Sequence, residues 1–209
     1  MTSKELMKLV SQGLTPFMEQ NGYSRYSVEK FIKSEKTLQK VISFMLSRSS
    51  NGSYEVEHYL WYLMPDHNRL RAGSRKVKGL WPTISKYYTN LMPKDFDFDK
   101  VRFYTESDIP TVIHNIEQYL ILYSFPYLDR FATADAIVEG FRGERDTWAD
   151  EDPFRRFEVL LLDSVLKNDR TSFNRWYDEA LQYCNNRLDD GRAIRLLDLA
   201  RSLNKDYFP

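Results

Sequence analysis

Cysteine is almost absent from the chain. Cys184 is the single cysteine among 209 residues, so no internal disulfide can form. A secreted domain held together by several disulfides is therefore not expected. Cys184 shares a helical stripe with Trp176 and Leu181, and a buried cysteine behaves as a small apolar side chain, so we predict a structural role for it.

Long apolar stretches and an excess of one charge are absent too. No run approaches the roughly 20 apolar residues of a membrane-spanning helix, and residues 1–5 lack the apolar run of a signal peptide. Thirty basic residues balance thirty acidic ones, so the net charge neither favours nor excludes a nucleic-acid partner. We expect a cytoplasmic protein without membrane contact.

Catalytic and cofactor-binding motifs are missing as well. The three histidines are His58, His67 and His114, and none has a partner at the spacing of a metal site such as H-E-x-x-H. We predict that His114 lies on the surface. The isolated glycines Gly73 and Gly79 do not make a phosphate-binding loop. The sequence therefore predicts no bound metal or cofactor and no recognisable set of acid, base and nucleophile.

What the chain does contain is material for a core and a clear hairpin. Apolar residues make up 42% of the sequence and aromatic residues 15%, enough for one large domain or a domain with a helical extension. Two runs rich in β-branched and aromatic residues, Leu38 to Ser47 and Tyr54 to Met64, flank the turn signal Ser50-Asn51-Gly52. We therefore predict a β-hairpin over residues 38–64.

The register of this hairpin follows from its apolar residues. A three-residue loop, Ser50 to Gly52, places Leu46 opposite Val56, whereas a two-residue Asn51-Gly52 turn places Leu46 opposite Glu57. A slip of one residue moves every side chain to the other face of the sheet, so the first register is favoured. It also puts Gly52 at the left-handed position that such loops require.

Helical spacing and turn signals predict the remaining elements. Residues 2–5 match a capping box that opens a first helix, and Asn21-Gly22 ends it. Three amphipathic helices follow residue 150, and their short connections make them neighbours in a bundle. Between them we predict a strand or extended run over Tyr23 to Phe31, a loop beginning at Pro65, and a short helix from Trp81 through Tyr88. A short strand over Val101 to Thr105 follows. Two further helices are predicted, one from Ser107 that Phe125 to Tyr127 interrupts and one from Thr133 to Glu139.

These elements predict an α+β fold. A small antiparallel sheet containing the hairpin 38–64 is packed by helices and followed by a C-terminal three-helix bundle. The composition changes after the polar bridge from Gly143 to Asp152. We therefore predict an α+β domain over residues 1–145 and a helical extension, packed on it, over residues 146–209.

Three segments carry a family resemblance. They are Asn21-Gly22-Tyr23, Val41-Ile42-Ser43-Phe44 and Tyr123-Ser124-Phe125-Pro126-Tyr127-Leu128-Asp129-Arg130-Phe131. Together they resemble the bacterial domain-of-unknown-function family numbered forty-three-oh-four, over residues 1 to 140, and the helices after residue 150 depart from that pattern. The resemblance implies no established activity. At the level of fold alone, such small α+β domains also resemble immunity proteins that neutralise toxins.

The acidic and histidine side chains of the hairpin admit two interpretations. Glu55 and Glu57 project from one strand face, either as an acid–base pair or as a solvated surface. His58 lies opposite Phe44 among apolar neighbours, where we favour a core histidine over a catalytic one. His67 stands in a predicted turn, and turn chemistry explains its polar surroundings as well as a functional cluster does.

A basic segment without acidic residues, from Asn68 to Asn90, is the other candidate site. Its cations can hold a phosphate backbone and its aromatic rings can stack on a base. The alternative is a basic loop that pairs with acidic neighbours. The candidate residues are Arg69, Arg71, Arg75, Lys76, Lys78, Trp81, Tyr87 and Tyr88.

The leading hypothesis is a non-enzymatic protein-interaction domain from a bacterial cytoplasm, of the immunity type that binds a toxin. Tyr59 and Trp61 lie on the strand face opposite the main core, and aromatic side chains are favoured anchors at protein interfaces. Nucleic-acid binding through residues 69–88 is the second hypothesis. The third is an uncharacterised hydrolase that uses Glu55, Glu57, His58 or His67. The sequence leaves the oligomeric state open.

Overall fold

The computed structural model describes residues 2–73, 82–143 and 152–208. In chain order its strands are β1 (Ser24–Arg25), β2 (Lys30–Ser34), β3 (Gln39–Arg48), β4 (Tyr54–Leu63), β5 (Ile84–Tyr87) and β6 (Arg102–Phe103). Its α-helices are α1 (Ser3–Gln20), α2 (Pro65–Gly73), α3 (Ile109–Tyr119), α4 (Phe125–Leu128), α5 (Ala134–Arg142), α6 (Pro153–Leu166), α7 (Arg170–Asn185) and α8 (Gly191–Tyr207). The predicted α+β class is confirmed.

The chain forms two compact units. The first comprises Met1–Leu63 and Ile84–Ala132, and the second comprises Met64–Thr83 and Thr133–Pro209. All six strands belong to the first unit, whereas α2 and α5 to α8 belong to the second. Helices α2 and α5 therefore group with the C-terminal helices and not with the sheet, and the predicted division at residue 145 stays a prediction.

The sheet of the first unit is antiparallel throughout. Its strand order is β1-β2-β3-β4-β5, and β6 pairs with the part of β4 that β5 leaves free. The hairpin register is the predicted one, with Leu46 opposite Val56 and Ile42 opposite Leu60. Ser49 N–H donates to the Ser53 carbonyl at 2.9 Å, and Gly52 has a φ of 89°, so the three-residue loop is confirmed.

The two faces of the sheet differ in burial. Alternate side chains of β2, β3 and β4 are fully buried on one face: Phe31, Ile42, Phe44, Val56, Leu60 and Tyr62. Helices cover this face, since the Tyr62 hydroxyl donates to the Tyr127 carbonyl of α4. The other face retains exposed area at most positions, as one-sided antiparallel sheets do.

A buried ion pair ties β3 to the end of α4. Lys40 lies on the helix-facing side of β3 and is buried, with its Nζ 2.9 Å from Glu35 and 3.0 Å from Asp129. Both carboxylates offset the cost of removing the ammonium group from water. The hydrogen bonds to Glu35 and Asp129 raise the pKa of Lys40 against the opposing effect of burial, so the side chain stays charged.

Helix α1 begins and ends as the sequence predicts. Thr2 and Glu5 form the capping box, and Gly22, with a φ of 81°, follows the last turn in the left-handed conformation. Helix α3 continues through a π-helical turn, Leu120–Ser124, into α4. Because Pro126 has no N–H and its ring crowds the preceding turn, the predicted interruption takes the form of this wider turn.

The second unit is helical in its described part. Helices α6, α7 and α8 are the predicted C-terminal bundle, and their N-caps are Asp152, Asp169 and Asp190, each accepting a backbone N–H. Helix α6 also packs against α2 and α5. The buried Asp163 on α6 joins Arg142 of α5 at 3.0 Å and Lys167 at 3.1 Å.

Four predictions of local structure are corrected. Pro65–Gly73 is a helix and not a loop, because Pro65 and Asp66 suit the first turn of a helix. Ile84–Tyr87 is a strand and not part of a helix, because it pairs with Tyr59–Tyr62. The run Tyr23 to Phe31 divides into β1 and the start of β2, and α5 extends past Gly140 because Phe141 is buried.

Candidate functional site

The candidate site is the sheet face opposite the one on which Tyr62 contacts α4, and we call it the open face. Strand alternation and register place its members on one side of β2 to β6. Its side chains are Lys30, Ile32, Val41, Ser43, Met45, Ser47, Glu55, Glu57, Tyr59, Trp61, Ser85, Tyr87 and Arg102. Strand β4 supplies more of the large side chains than any other strand, namely Glu55, Glu57, Tyr59 and Trp61.

Aromatic rings and one cation dominate the centre of the open face. Lys30 Nζ lies 5.1 Å from the ring centroid of Trp61, and Tyr59 packs against Tyr87 with centroids 4.9 Å apart. Since Lys30 is on β2 and Trp61 on β4, the lysine side chain crosses β3, where Val41 and Ser43 are buried. Trp61 and Tyr59 remain half-buried, as the sequence predicted for the face opposite the core.

The two carboxylates of the open face are held by hydrogen bonds. Tyr87 donates to Glu57 Oε2 at 2.7 Å, and Tyr88 donates to Glu55 Oε1 at 2.8 Å. Arg102 Nε donates to Glu55 Oε2 at 2.9 Å. Burial, followed by the hydrogen bond to its glutamate, raises the pKa of each tyrosine. The carboxylates therefore act as acceptors in fixed contacts.

His58 points away from these carboxylates. Alternation puts it on the helix-facing side of β4, where its Nε2 is 3.0 Å from Ser124 Oγ and its ring stacks on Tyr88 with centroids 4.8 Å apart. Burial lowers the pKa of His58 to about 3. The predicted core histidine is confirmed. The sheet itself thus separates His58 from Glu55 and Glu57, so these groups do not converge on a common substrate position.

Tyr88 has a structural place that the sequence does not indicate. Its side chain is fully buried beside β4, between the part paired with β5 and the part paired with β6. The ring is therefore not available to stack on a nucleic-acid base. Only the non-local pairing of β5 and β6 with β4 creates this position, and for that reason a local pattern could not reveal it.

The described part of the basic segment is engaged with carboxylates. Arg69 pairs with Asp66 at 3.0 Å, and Arg71 pairs with Glu158 of α6 at 2.9 Å. Both arginines are on α2, a helix of the second unit, whereas Tyr87 and Tyr88 belong to the first. The other candidates, Arg75, Lys76, Lys78 and Trp81, lie outside the described residues.

His67 lies in α2 and is buried, which corrects the prediction of a turn residue. Burial lowers its pKa to about 4, although the charges of Asp163, Asp66 and Asp135 act in the opposite direction. Its Nε2 has no hydrogen-bond partner among the described residues. The histidine is therefore a buried residue of α2 that is uncharged at neutral pH.

The remaining sequence candidates are structural or exposed. Cys184 is buried, and burial raises the pKa of its thiol, so the predicted structural cysteine is confirmed. His114 is exposed, as predicted. Within residues 2–73, 82–143 and 152–208, no group of three histidine, cysteine or acidic side chains is arranged to hold a metal ion.

Sequence reasoning did not assign Lys30, Ile32 or Arg102 to the open face. Met45 is directly opposite Glu57 and is 44% exposed. The predicted hairpin register already places Met45 beside Glu57 on this face. Lys30 and Ile32 could be assigned to the face only once β2 was separated from the run Tyr23 to Phe31.

The fold and the open face define an α+β protein with a one-sided antiparallel sheet and a helical second unit. Comparisons of the chain with protein-family models, with curated proteins and with solved structures found no match. The resemblance to family forty-three-oh-four therefore stays a prediction. Among the helices in the described ranges, none is long and apolar enough to cross a membrane.

Proposed function

We propose that this chain is a non-enzymatic protein-interaction domain of the cytoplasm and that the open face is its contact surface. The observation that carries the proposal is the half-buried aromatic row of Tyr59, Trp61 and Tyr87 on the sheet side opposite the one where Tyr62 contacts α4. Tyrosine and tryptophan are enriched among the residues that contribute most to binding energy. Half-buried rings held on a sheet offer such anchors with little loss of side-chain entropy on binding.

The arrangement of titratable groups supports a role without bond-breaking chemistry. Glu55 and Glu57 are each held by a tyrosine hydroxyl, and His58 lies on the other face of the sheet. A general acid–base mechanism needs such groups within reach of one substrate atom. The hydrolase hypothesis consequently has no geometric support in the described residues.

The specific form of the proposal is an immunity-like protein of a bacterial cell that binds a toxin. Its support is the style of the fold, a small α+β domain with an exposed sheet face, and that is an argument by analogy. Nucleic-acid binding has less support, because Tyr88 is buried and the described arginines, Arg69 and Arg71, are paired with Asp66 and Glu158.

Capture from an extract of the host cell tests the proposal. The wild-type protein should retain a partner that the double variant Tyr59→Ser/Trp61→Ser loses. The matched control is Tyr104→Ser, since Tyr104 is 64% exposed and lies outside the open face. Circular dichroism spectra and unfolding midpoints should show that all three proteins are folded. Retention of the same partner by the double variant would contradict the proposal.

A further inference from the structure

We propose that the open face binds the open face of a second copy of this chain, giving a two-fold symmetric dimer. This inference rests on the proposed function in assigning the open face to protein contact, and it adds what occupies the face. A symmetric interface uses the same patch on both copies, so a cation that pairs across it must find its acid within that same patch. The open face satisfies this condition.

The charges on the open face are balanced. It carries two cations, Lys30 and Arg102, and two acids, Glu55 and Glu57. Arg102 and Glu55 neutralise each other within one copy at 2.9 Å. Lys30 has no carboxylate within salt-bridge distance among the described residues, and Glu57 uses only its Oε2 in a described hydrogen bond. One unpaired cation and one carboxylate oxygen therefore remain for the partner.

Their positions suit a two-fold axis. Lys30 stands on β2 in the row of Ser43 and Tyr59, and Glu57 stands on β4 one row further along, opposite Met45. Consider two sheets that face each other, with a two-fold axis in the plane midway between them. If this axis is perpendicular to the line from Lys30 to Glu57 and crosses it at its midpoint, each Lys30 faces the Glu57 of the second copy. The rings of Tyr59 and Trp61 and the side chain of Met45 then lie in the middle of the contact.

The charge of the chain also permits self-association. Its formal net charge is zero, so two copies do not repel each other at neutral pH. Two antiparallel sheets pack face to face about 10 Å apart, with large side chains interdigitating between them. Exposed Met45 and the half-buried Trp61 and Tyr59 are the side chains that such packing would remove from water.

The size of the patch predicts a weak dimer. Four strands about 4.8 Å apart and three rows of residues about 7 Å apart span roughly 14 by 14 Å, or about 400 Å² with the side-chain margins. A stable interface takes about 800 Å² from each partner, so a dimer through this smaller patch should be weak, with a dissociation constant in the micromolar range or above.

Sedimentation equilibrium of the full chain tests the proposal directly. The mass should rise from that of a 24.9 kDa monomer towards twice that value as the concentration increases from about 1 to about 500 µM. Lys30→Glu and Glu57→Lys should each weaken the dimer by about tenfold or more, because like charges then face each other across the axis. Lys8→Glu is the control, since Lys8 is an exposed residue of α1 outside the open face.

Mixing the two charge-reversal variants gives the decisive result. One variant carries only negative charge at the two contact positions and the other carries only positive charge, so their mixture should form a heterodimer at concentrations at which each variant alone is mostly monomeric. Circular dichroism establishes that both variants are folded. Restoration of the dimer on mixing requires that positions 30 and 57 meet across the interface. A general loss of stability in the variants would not produce this result.

Two outcomes would overturn the dimer. The first is a monomeric wild type throughout the concentration range. The second is a dimer that Lys30→Glu and Glu57→Lys affect no more than Lys8→Glu does. A monomeric wild type that still captures a partner from host extract through Tyr59 and Trp61 overturns this inference and leaves the proposed function in place. A dimer with the predicted charge dependence that captures nothing from host extract supports this inference and contradicts the proposed capture of a partner.

Discussion

Two histidines, His58 in the first unit and His67 in the second, are buried and uncharged. Neither has the surroundings of a catalytic base. His58 contacts Ser124 Oγ and two aromatic rings, and His67 is a buried residue of α2, a helix that packs against α6. Burial lowers both pKa values, and a buried imidazole that cannot accept a proton at neutral pH contributes packing and hydrogen bonding instead.

The lowered pKa of His67 predicts a loss of stability in acid. In the unfolded chain its pKa is the ordinary 6.5, whereas in the folded protein it is about 4. The unfolded state therefore binds the proton first, and the stabilisation present above pH 6.5 is lost as the pH falls towards 4. The free energy of unfolding should decrease over this interval by about 1 to 3 kcal/mol through His67.

Urea unfolding at several pH values measures this effect. His67→Gln removes the titrating group, so its free energy of unfolding should fall less steeply with decreasing pH than that of the wild type. His114→Gln is the control because the His114 side chain is exposed. If the free energy of unfolding of the two variants and of the wild type depends on pH with the same slope, His67 is not buried in its neutral form.

The contact between His58 and Ser124 predicts a second effect on stability. Ser124→Ala leaves the buried Nε2 of His58 without its partner, and an unsatisfied buried polar group costs about 1 to 3 kcal/mol. Ser85→Ala, at an exposed position of β5, should change the free energy of unfolding by less than about 0.5 kcal/mol. Equal unfolding midpoints for the two variants in urea would show that the hydrogen bond contributes nothing.

Among the elements, those with a strong local signal could be predicted and those that depend on distant pairing could not. The register of β3 and β4 follows from alternation, because one face must be apolar. Strand β5 has only four residues, and its pairing with Tyr59–Tyr62 decides its conformation. Helix α2 is polar and contains turn-forming residues. These residues favoured the prediction of a loop over the helix start that Pro65 and Asp66 provide.

The contact between α1 and α3 predicts that replacing Gly13 by alanine lowers the free energy of unfolding. A Cβ added at Gly13 would overlap Cδ1 of Ile113. Alanine is ordinarily about 1 kcal/mol more favourable than glycine within a helix, but here Ile113 must move, so Gly13→Ala should lower the free energy of unfolding by about 1 to 2 kcal/mol.

A double-mutant cycle isolates that overlap. Ile113→Val removes the Cδ1 atom, so Gly13→Ala should be neutral or stabilising when introduced into the Ile113→Val protein. The measurement is the free energy of unfolding of the four proteins in urea. An effect of Gly13→Ala that is the same in both backgrounds would mean that Gly13 and Ile113 are not in contact.

Considered over its full length, the chain combines a one-sided sheet with a helical unit whose first helix, α2, comes from the segment between β4 and β5. Composition could not predict that arrangement, because the affinity of α2 for α6 depends on contacts such as Arg71 with Glu158 that are far apart in sequence. The open face, in contrast, could largely be inferred, since Glu55, Glu57, Tyr59 and Trp61 alternate along a single strand.

The central claim is that the open face is covered by protein when the chain functions, and hydroxyl-radical footprinting measures this most directly. Oxidation of Met45, Tyr59 and Trp61 would be compared between dilute purified protein and protein in concentrated solution or host extract, with exposed Tyr26 and Tyr104 as internal references. We expect Met45, Tyr59 and Trp61 to become protected while both references stay reactive. Protection of the references alone, or unchanged oxidation of the open face under every condition, would contradict the claim.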